Sequence, residues 1–295
     1  MADAFGNKAA KDYHLDIAPP EQGFFAKGLG HGDWGLKNRL SRLFNPKSGN
    51  TVMLAFDHGY MMGSTSGLER MDVTIAPLAE YADVLMATRG ALRTCIPPTV
   101  QKPICLRATH DASVLKDDMS IGSGCGADME AALRMNASAV AIQCFVGAEG
   151  ETASLETLCR AVDAGERYGM PVLGVTAVGK QMARTTQYFL LATRMLAELG
   201  ATFVKTYYCD DFEKVVAACP VPIVIAGGKK LPEQDALSMA YKAIASGAKG
   251  VDMGRNIFQS EHPAAMCRAV AKIVHEGANE KEAFEFYQEL ANSGL

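Results

Sequence analysis

The sequence predicts an α/β fold, a single (β/α)₈ barrel (TIM barrel). Eight short apolar segments alternate with helical patterns along most of the 295 residues. Strands that are apolar on both faces and alternate with helices are typical of parallel sheets, and eight such units suffice to close a barrel. An open, doubly wound sheet is the alternative. It is disfavoured because no Gly-x-Gly-x-x-Gly motif follows the first apolar segment.

The predicted strands share a continuous apolar character and are Val52–Phe56, Val84–Ala87, Ile104–Leu106, Val140–Phe145, Val172–Thr176, Thr202–Thr206, Ile223–Ala226 and Gly250–Met253. Apolar residues at helical spacing predict helices at Leu68–Tyr81, Ala127–Met135, Thr152–Tyr168, Gln187–Leu199, Phe212–Ala218, Pro232–Ser246 and Pro263–His275. Residues 91–103 are the weak link in this alternation, because Pro97 and Pro98 break any helix there. Small residues or proline stand at the joints between helices and strands.

Both ends of the chain differ from this alternation. Residues 1–30 are polar and aperiodic, which predicts an arm without a fold of its own. Asp33 can cap a helix over 34–44, whose apolar stripe could plug one end of the barrel. No linker interrupts residues 31–295, so we expect one barrel domain. Its last segment, Glu280–Leu290, carries aromatic residues at helical spacing and is either a subunit contact or a helix laid on the barrel.

Composition limits the classes of partner. Hydrophobic residues make up 48% of the chain and charged residues 21%, which suits a globular protein with a large core. The net charge of −4 argues against nucleic acid and anionic membranes as partners. We expect no membrane span, because no apolar run approaches the roughly 20 residues required, and no secretory signal. The eight scattered cysteines contain no C-x-x-C pair and the histidines lie far apart, which predicts no metal site and a reducing, cytoplasmic compartment.

Lys205 is the charge that the predicted fold accommodates least easily. It lies inside an apolar strand and shares a strand face with Phe203. A buried ammonium group is costly unless it is paired. We therefore expect a lowered pKa, which would make the amine a nucleophile able to form an imine with a carbonyl group. The alternative is a lysine that reaches solvent or pairs with an aspartate.

Further polar side chains follow the predicted strands at the end where such barrels have their active sites. Asp57 and His58 follow the first strand. The carboxylate could pair with Lys205 or transfer protons, and the imidazole titrates near neutral pH. Polar and cationic residues at the same end are Arg89, Arg107, Gln143, Lys180, Lys229 and Arg255. A cationic cluster in an acidic chain suggests an anionic ligand, although at least one of these cations is expected to form a structural salt bridge.

Two glycine-containing loops predict a phosphate site. Gly227 and Gly228 follow the seventh strand, and Gly254 and Arg255 follow the eighth. These two loops commonly bind phosphate in (β/α)₈ barrels, because glycine allows backbone N–H groups to approach an anion closely. Together with Lys205, they indicate a lysine-dependent enzyme that breaks or forms bonds next to a carbonyl group in a phosphorylated substrate.

The motifs AFDHGY, FVKTYY, AGGKK and GVDMGRNIFQ resemble those of class I aldolases of the archaeal fructose-bisphosphate type, over about residues 30–275. Longer runs around them are similar to a thiolase branch of that family, which acts in breakdown of the quorum signal autoinducer-2. The resemblance implies a cytoplasmic enzyme that transfers an acetyl group from 3-hydroxy-5-phosphonooxypentane-2,4-dione to coenzyme A. The products would be acetyl-CoA and dihydroxyacetone phosphate, with coenzyme A as co-substrate and no cofactor.

The resemblance also assigns roles by position. The essential lysine of the family falls on Lys205 and its Asp-His pair on Asp57 and His58, while its phosphate loops fall on Gly227, Gly228, Gly254 and Arg255. Homo-oligomeric rings, typically decamers, are implied as well. One position departs from the pattern, because Phe145 stands where aldolases of this family have an acid–base tyrosine. A phenyl ring cannot carry a proton, so proton transfer would rest on His58 or Asp57.

Two other functions remain open at this stage. One is a class I aldolase acting on a phosphorylated ketose, and the other is a non-catalytic phosphosugar-binding protein. Cys144 and Cys209 lie near strand ends and need controls, because other thiolases use a cysteine nucleophile. We expect both to be core or rim residues.

Overall fold

The computed structural model describes residue 17 and residues 23–179 and 183–294. Its parallel strands, in chain order, are β1 (Thr51–Ala55), β2 (Val84–Ala87), β3 (Ile104–Arg107), β4 (Ala139–Cys144), β5 (Val172–Thr176), β6 (Phe203–Tyr207), β7 (Ile223–Ala226) and β8 (Gly250–Met253). They close into one barrel in which β1 pairs with both β2 and β8. The (β/α)₈ barrel is therefore confirmed, with every strand within one residue of its predicted bounds.

The helices are α1 (Trp34–Leu43), α2 (Gly59–Met62), α3 (Met71–Thr74), α4 (Arg89–Cys95), α5 (Met129–Arg134), α6 (Glu151–Tyr168), α7 (Thr186–Glu198), α8 (Phe212–Ala218), α9 (Glu233–Ala245), α10 (Arg255–Phe258), α11 (Pro263–Glu276) and α12 (Glu280–Asn292). The longer ones follow the predicted periodicity. The short helices α2 and α10, directly after β1 and β8, were not predicted.

Proline accounts for one wrong helix prediction and limits another helix. The single helix expected over Leu68–Tyr81 is divided into α3 and a 3₁₀ helix, Ala76–Tyr81. Pro77, in the first turn of that 3₁₀ helix, cannot donate the backbone hydrogen bond that a continuous helix would need. A helix does form in the weak link, but α4 ends at Cys95, before Pro97. A hairpin of Thr109–His110 and Gly124–Cys125 after β3 was not predicted.

Apolar side chains fill the barrel interior at the amino ends of the strands. Asp33 accepts a hydrogen bond from the Leu36 backbone N–H at 2.7 Å and caps α1. The buried side chains of Leu40 and Phe44 then pack among inward-facing strand residues, and the ring centroids of Phe44 and Phe203 lie 5.4 Å apart. Residues 23–30 also contribute buried side chains here. Residues 1–16 and 18–22 of the predicted arm lie outside the described residues.

The chain ends with α12, which begins in a capping box formed by Asn279 and Glu282. Ala283 and Tyr287 are buried, and α12 packs against α11 and α9. It is thus a helix laid on the barrel, and a subunit contact through it stays a prediction. Over the described residues, the helices are too short or too polar to cross a membrane.

Candidate active site

A cavity of about 630 Å³ opens at the carboxyl ends of the strands. The predicted site residues all line it, namely Lys205, Asp57, His58, Gly227, Gly228, Gly254 and Arg255. They come from β1, β6, β7 and β8 and the loops that follow them. Parallel strands place their carboxyl ends at one end of a barrel, and this is why residues far apart in sequence converge here.

Lys205 lies at the floor of this cavity, with 9% of its surface exposed. Its Nζ atom is 2.9 Å from Oδ2 of Asp252 and 3.7 Å from Sδ of Met86. The three residues come from β6, β8 and β2, respectively. In (β/α)₈ barrels, inward side chains from alternate strands form one layer. The layer containing Lys205 therefore also brings in Asp252, which the sequence analysis did not select.

The expectation of a lowered pKa for Lys205 is wrong for the protein without ligand. Burial acts to lower the pKa of this amine, but the carboxylates of Asp252 and Asp57 outweigh burial and hold the pKa above its ordinary value. The alternative considered from the sequence, a lysine paired with an aspartate, describes the resting protein. Burial in turn raises the pKa of Asp252 to about 6, although Lys205 acts to lower it.

Asp57 pairs with Arg107 rather than with Lys205. Nη1 of Arg107 donates to Oδ2 of Asp57 at 2.7 Å, and its Nε donates to Thr109 at 2.9 Å. Its Nη2 donates to Gln143 at 2.6 Å and also to Asp111. Burial opposes the charge on Asp57, yet Arg107 and Lys205 hold the pKa of this carboxyl below its ordinary value. Arg107 is thus a structural salt-bridge cation, of the kind that the sequence analysis allowed for.

The other predicted cations differ in position. Arg89 is exposed in the first turn of α4 and does not line the cavity. Lys229 is exposed as well, and Lys180 lies outside the described residues. Arg255, at the start of α10, lines the cavity, as Arg107 does. Among the described residues of the loops after β7 and β8, Arg255 is therefore the cation that an anion bound in the cavity would contact.

His58 lines the cavity beside Asp57. Burial lowers its pKa, and although Asp57 acts to raise it, Arg255 adds to the lowering. The imidazole is therefore neutral at neutral pH, a form that can accept a proton and then donate it as imidazolium. Its Nε2 atom lies 3.4 Å from Oγ1 of Thr65, and its ring stacks on Phe258 at a centroid distance of 6.0 Å.

The two predicted phosphate loops are connected by Asn256. Its Nδ2 donates to the carbonyl of Gly227 at 2.7 Å, and its Oδ1 accepts from the Leu231 N–H at 2.8 Å. A Cβ atom on Gly254 would lie 2.1 Å from the carbonyl oxygen of Ala55, so the approach of this loop to β1 requires glycine. Gly228 has a φ of +69°, which favours glycine as well. The glycine backbone of these two loops is thus held in a fixed position at the cavity wall.

Four further observations complete the description of the site. Tyr207, two residues after Lys205 on the same strand face, lines the cavity, and the guanidinium of Arg184 lies 3.9 Å from its ring centroid. Phe145 lines the cavity at the end of β4. Cys144 and Cys209 are buried, do not line the cavity, and have thiol pKa values raised by burial. No group of three or more His, Cys, Asp or Glu side chains in the described part of the chain is placed to hold a metal ion.

Fold and site together define a barrel enzyme with a buried lysine in its active-site cavity. The sequence pattern of the DeoC/LacD family aldolases matches residues 51–260. The chain belongs to this family.

A Klebsiella pneumoniae protein named 3-hydroxy-5-phosphonooxypentane-2,4-dione thiolase is 55% identical over 291 residues, which cover 98% of both chains. An Escherichia coli protein of that name is 53% identical over 97% of this chain and 98% of its own. A Pasteurella multocida relative, 54% identical over 97% of this chain and 99% of its own, is called an uncharacterized aldolase.

Solved structures of similar fold include an archaeal fructose 1,6-bisphosphate aldolase. It has a TM-score of 0.73 and 26% identity, and the match covers 82% of this chain and all of that one. A second structure shows an archaeal aldolase of this kind with its catalytic lysine covalently bound to the carbinolamine intermediate of the substrate. Its TM-score is 0.72 at 26% identity, over 81% of this chain and 99% of that one.

Proposed function

We propose that this protein is a lysine-dependent thiolase. It would transfer an acetyl group from 3-hydroxy-5-phosphonooxypentane-2,4-dione to coenzyme A, giving acetyl-CoA and dihydroxyacetone phosphate. The observation that carries this proposal is the position of Lys205, a buried amine in the same cavity as Gly227, Gly228 and Arg255. The names of relatives that are 53–55% identical over nearly the whole chain support the choice of substrate.

The chemistry follows from a nucleophilic amine at the cavity floor. Neutral Lys205 attacks the methyl-ketone carbon and forms a covalent bond with it. Loss of water from this adduct gives an iminium ion, and the thiolate of coenzyme A adds to its carbon. The bond between C2 and C3 of the dione then breaks, and its electron pair passes to C3, where the neighbouring C4 carbonyl stabilises it as an enediolate. A thioimidate remains on the lysine. Protonation of that carbon gives dihydroxyacetone phosphate. Water then adds to the thioimidate, which releases acetyl-CoA and frees the lysine.

The phosphate group is assigned to the loops after β7 and β8. Arg255 supplies a forked positive charge, and the glycine backbones of Gly227, Gly228 and Gly254 allow close approach of an anion. The acidic side chains Asp117 and Glu149 line the cavity on the side of β3 and β4. A phosphorylated substrate is thereby oriented with its phosphate toward β7 and β8 and its carbonyl groups toward Lys205.

Proton transfer is assigned to His58. Phe145 at the end of β4 cannot carry a proton, and Arg107 holds Asp57 in its ionised form. The neutral imidazole of His58 can accept the thiol proton of coenzyme A and then, as imidazolium, pass it to the enediolate carbon. Asp57 then acts as a fixed negative charge beside Lys205 and His58.

Borohydride trapping tests this proposal. Incubation of the protein with the phosphorylated dione and borohydride should leave a stable adduct on Lys205, identified by peptide mass spectrometry. Product formation should require coenzyme A and should be lost in Lys205→Met but retained in the control Cys209→Ser. If Lys205→Met keeps its activity while Cys209→Ser loses it, the lysine assignment is wrong.

A class I aldolase acting on a phosphorylated ketose is the second candidate, favoured by the family and by the archaeal aldolases of similar fold. Product formation that is equally fast without coenzyme A would support it. A phosphosugar-binding protein without activity is the third candidate. Ligand binding that is undiminished in Lys205→Ala, together with no turnover in either protein, would support that candidate.

The resemblance also supports a homo-oligomeric ring, specifically a decamer, in the cytoplasm. Sedimentation of the purified protein tests the ring size, because a decamer and a pentamer differ twofold in mass.

A further inference from the structure

Asp252 and Lys205 form a buried ion pair, and the surrounding described residues do not stabilise its carboxylate by hydrogen bonds. Both side chains are buried in the barrel interior, and only 1% of Asp252 is exposed. No donor among the described residues makes a well-aligned hydrogen bond to either carboxylate oxygen of Asp252, and the ammonium group 2.9 Å from Oδ2 is an ion-pair contact. A buried carboxylate with a single partner adds little to stability, because removing both charges from water costs about as much as their attraction returns. The pair therefore calls for a functional explanation.

We propose that Asp252 is the catalytic base that takes the proton from the Lys205 ammonium group and returns it during imine formation. This inference rests on the proposed lysine chemistry and adds a role to a residue that the resemblance does not assign. The distance of 2.9 Å between Nζ and Oδ2 leaves no room for an intervening water molecule, so the proton can pass directly once the two groups turn toward each other. Asp57 lies nearby, but its carboxylate is engaged by Arg107.

The direction of transfer follows from burial. Removal of water disfavours the charged form of both groups, so it promotes loss of a proton from the ammonium and gain of a proton by the carboxylate. A substrate that fills the cavity expels water from both groups at once. The ion pair then becomes a neutral pair of amine and carboxylic acid. The nucleophile would thus form only once the cavity is occupied.

The proton balance of the step is closed. The Lys205 ammonium gives one proton to Asp252, and the nitrogen lone pair then bonds to the carbonyl carbon. The π electrons of the carbonyl move to its oxygen, which receives a proton from the attacking nitrogen to give the carbinolamine. The Asp252 carboxylic acid next protonates this hydroxyl group, which leaves as water. The iminium ion forms, and Asp252 is again a carboxylate.

The charged and titratable groups that face this pair come from several strands. Asp57 after β1 acts to raise the pKa of Asp252, and Arg107 on β3 acts to lower it. His58 acts to lower the pKa of Asp57, and Tyr207 acts to raise the pKa of Lys205. Cys105 on β3 stays a neutral thiol, because burial raises its pKa well above the ordinary value. A pH profile must therefore be read as a difference between matched variants.

The test is the rate of borohydride-trapped adduct formation with the phosphorylated dione, measured from pH 5 to pH 9 in the wild type and in Asp252→Asn. Loss of the base should reduce the maximal rate by about 10²-fold or more at every pH. Asp252→Glu should recover part of this loss. Asp83→Asn is the matched control, because Asp83 pairs with His275 at 2.8 Å ahead of β2 and outside the cavity, and it should trap at the wild-type rate.

A purely electrostatic role predicts a different result. Removal of the negative charge would then lower the pKa of Lys205, shifting the profile to lower pH with an unchanged maximal rate. That outcome, or a profile identical to the wild type, would overturn the inference while leaving the lysine chemistry intact. Absence of adduct in the wild type would instead overturn the proposed function. If Asp252→Asn does not fold, the same series is run on Asp252→Ala, in which added formate should restore trapping; absence of restoration would count against the role.

Discussion

Two buried ion pairs lie within the same barrel, and they are built in opposite ways. The guanidinium of Arg107 meets Asp57, Asp111, Gln143 and Thr109 in a network that occupies all of its nitrogen atoms. Lys205 meets a single carboxylate that has no other described donor. The first arrangement fixes its protons in place, because a guanidinium stays charged in proteins. In the second arrangement, a proton can pass from the amine of Lys205 to the carboxylate of Asp252. The difference separates a charge that organises the site from a charge that can react.

The largest effect is expected from Lys205→Met. Activity should fall by roughly 10³-fold or more, since the covalent step loses its nucleophile. The free energy of unfolding should change by less than about 2 kcal/mol, because Asp252 can take up a proton and remain neutral without its partner. Steady-state kinetics and urea unfolding of the same preparations check both statements. A protein that is severely destabilised would show that Lys205, like Arg107, serves the fold.

Arg107→Met should show the reverse pattern, with stability as the main loss. It leaves Asp57 and Asp111 buried without their cation, and breaking such a pair costs about 3–5 kcal/mol. Urea unfolding at neutral pH measures this change. Arg70→Met is the matched control: its partner Asp72 is exposed, and surface pairs contribute about 1 kcal/mol or less. Equal losses in the two variants would contradict the assigned structural role.

Arg255 extends the comparison to a charge that serves the ligand. Arg255→Gln should raise the KM for the phosphorylated substrate by roughly 10- to 100-fold, the value of one charge-assisted hydrogen bond to an anion. The kcat should change less than the KM. Arg89→Gln is the control, since Arg89 follows β2 at the same end of the barrel but does not line the cavity. An unchanged KM in Arg255→Gln would place the phosphate elsewhere.

The sequence was sufficient to predict the barrel and the buried lysine. Continuous apolar segments located the strands to within one residue, and the charge at Lys205 stood out against its strand. The same reasoning applied to Asp252, inside the apolar strand Gly250–Met253, would have found its partner. That the two meet depends on barrel closure, because β7 lies between their strands. The pKa of Lys205 was therefore mispredicted: its sign depends on a contact that the sequence does not show.

The ion pairing of Arg107 likewise depends on contacts that the sequence does not show. Its partner Asp111 lies just after Thr109–His110, the first strand of the unpredicted hairpin. The helix prediction failed for a local reason instead, since Pro77 divides a segment whose apolar spacing is otherwise helical. Local rules thus located the elements, whereas contacts across the barrel decided which charges are free to react.

The smallest expected effect is a difference in the pH dependence of stability between the two buried carboxylates. The folded pKa of Asp252, about 6, lies above its ordinary value of 3.8. Asp252 therefore stabilises the fold most fully below pH 3.8, and this contribution is lost as the pH rises through 6. The folded pKa of Asp57 is lowered, so its contribution is present above pH 3.8 and is lost only at more acidic pH.

Between pH 4.5 and pH 7, urea unfolding should show the wild type losing roughly 2 kcal/mol relative to Asp252→Asn as the pH rises. The difference between the wild type and Asp57→Asn should stay flat over this window. A flat difference for Asp252→Asn as well would mean that Asp252 keeps an ordinary pKa, and that its carboxylate is too well stabilised to hold the proton of Lys205.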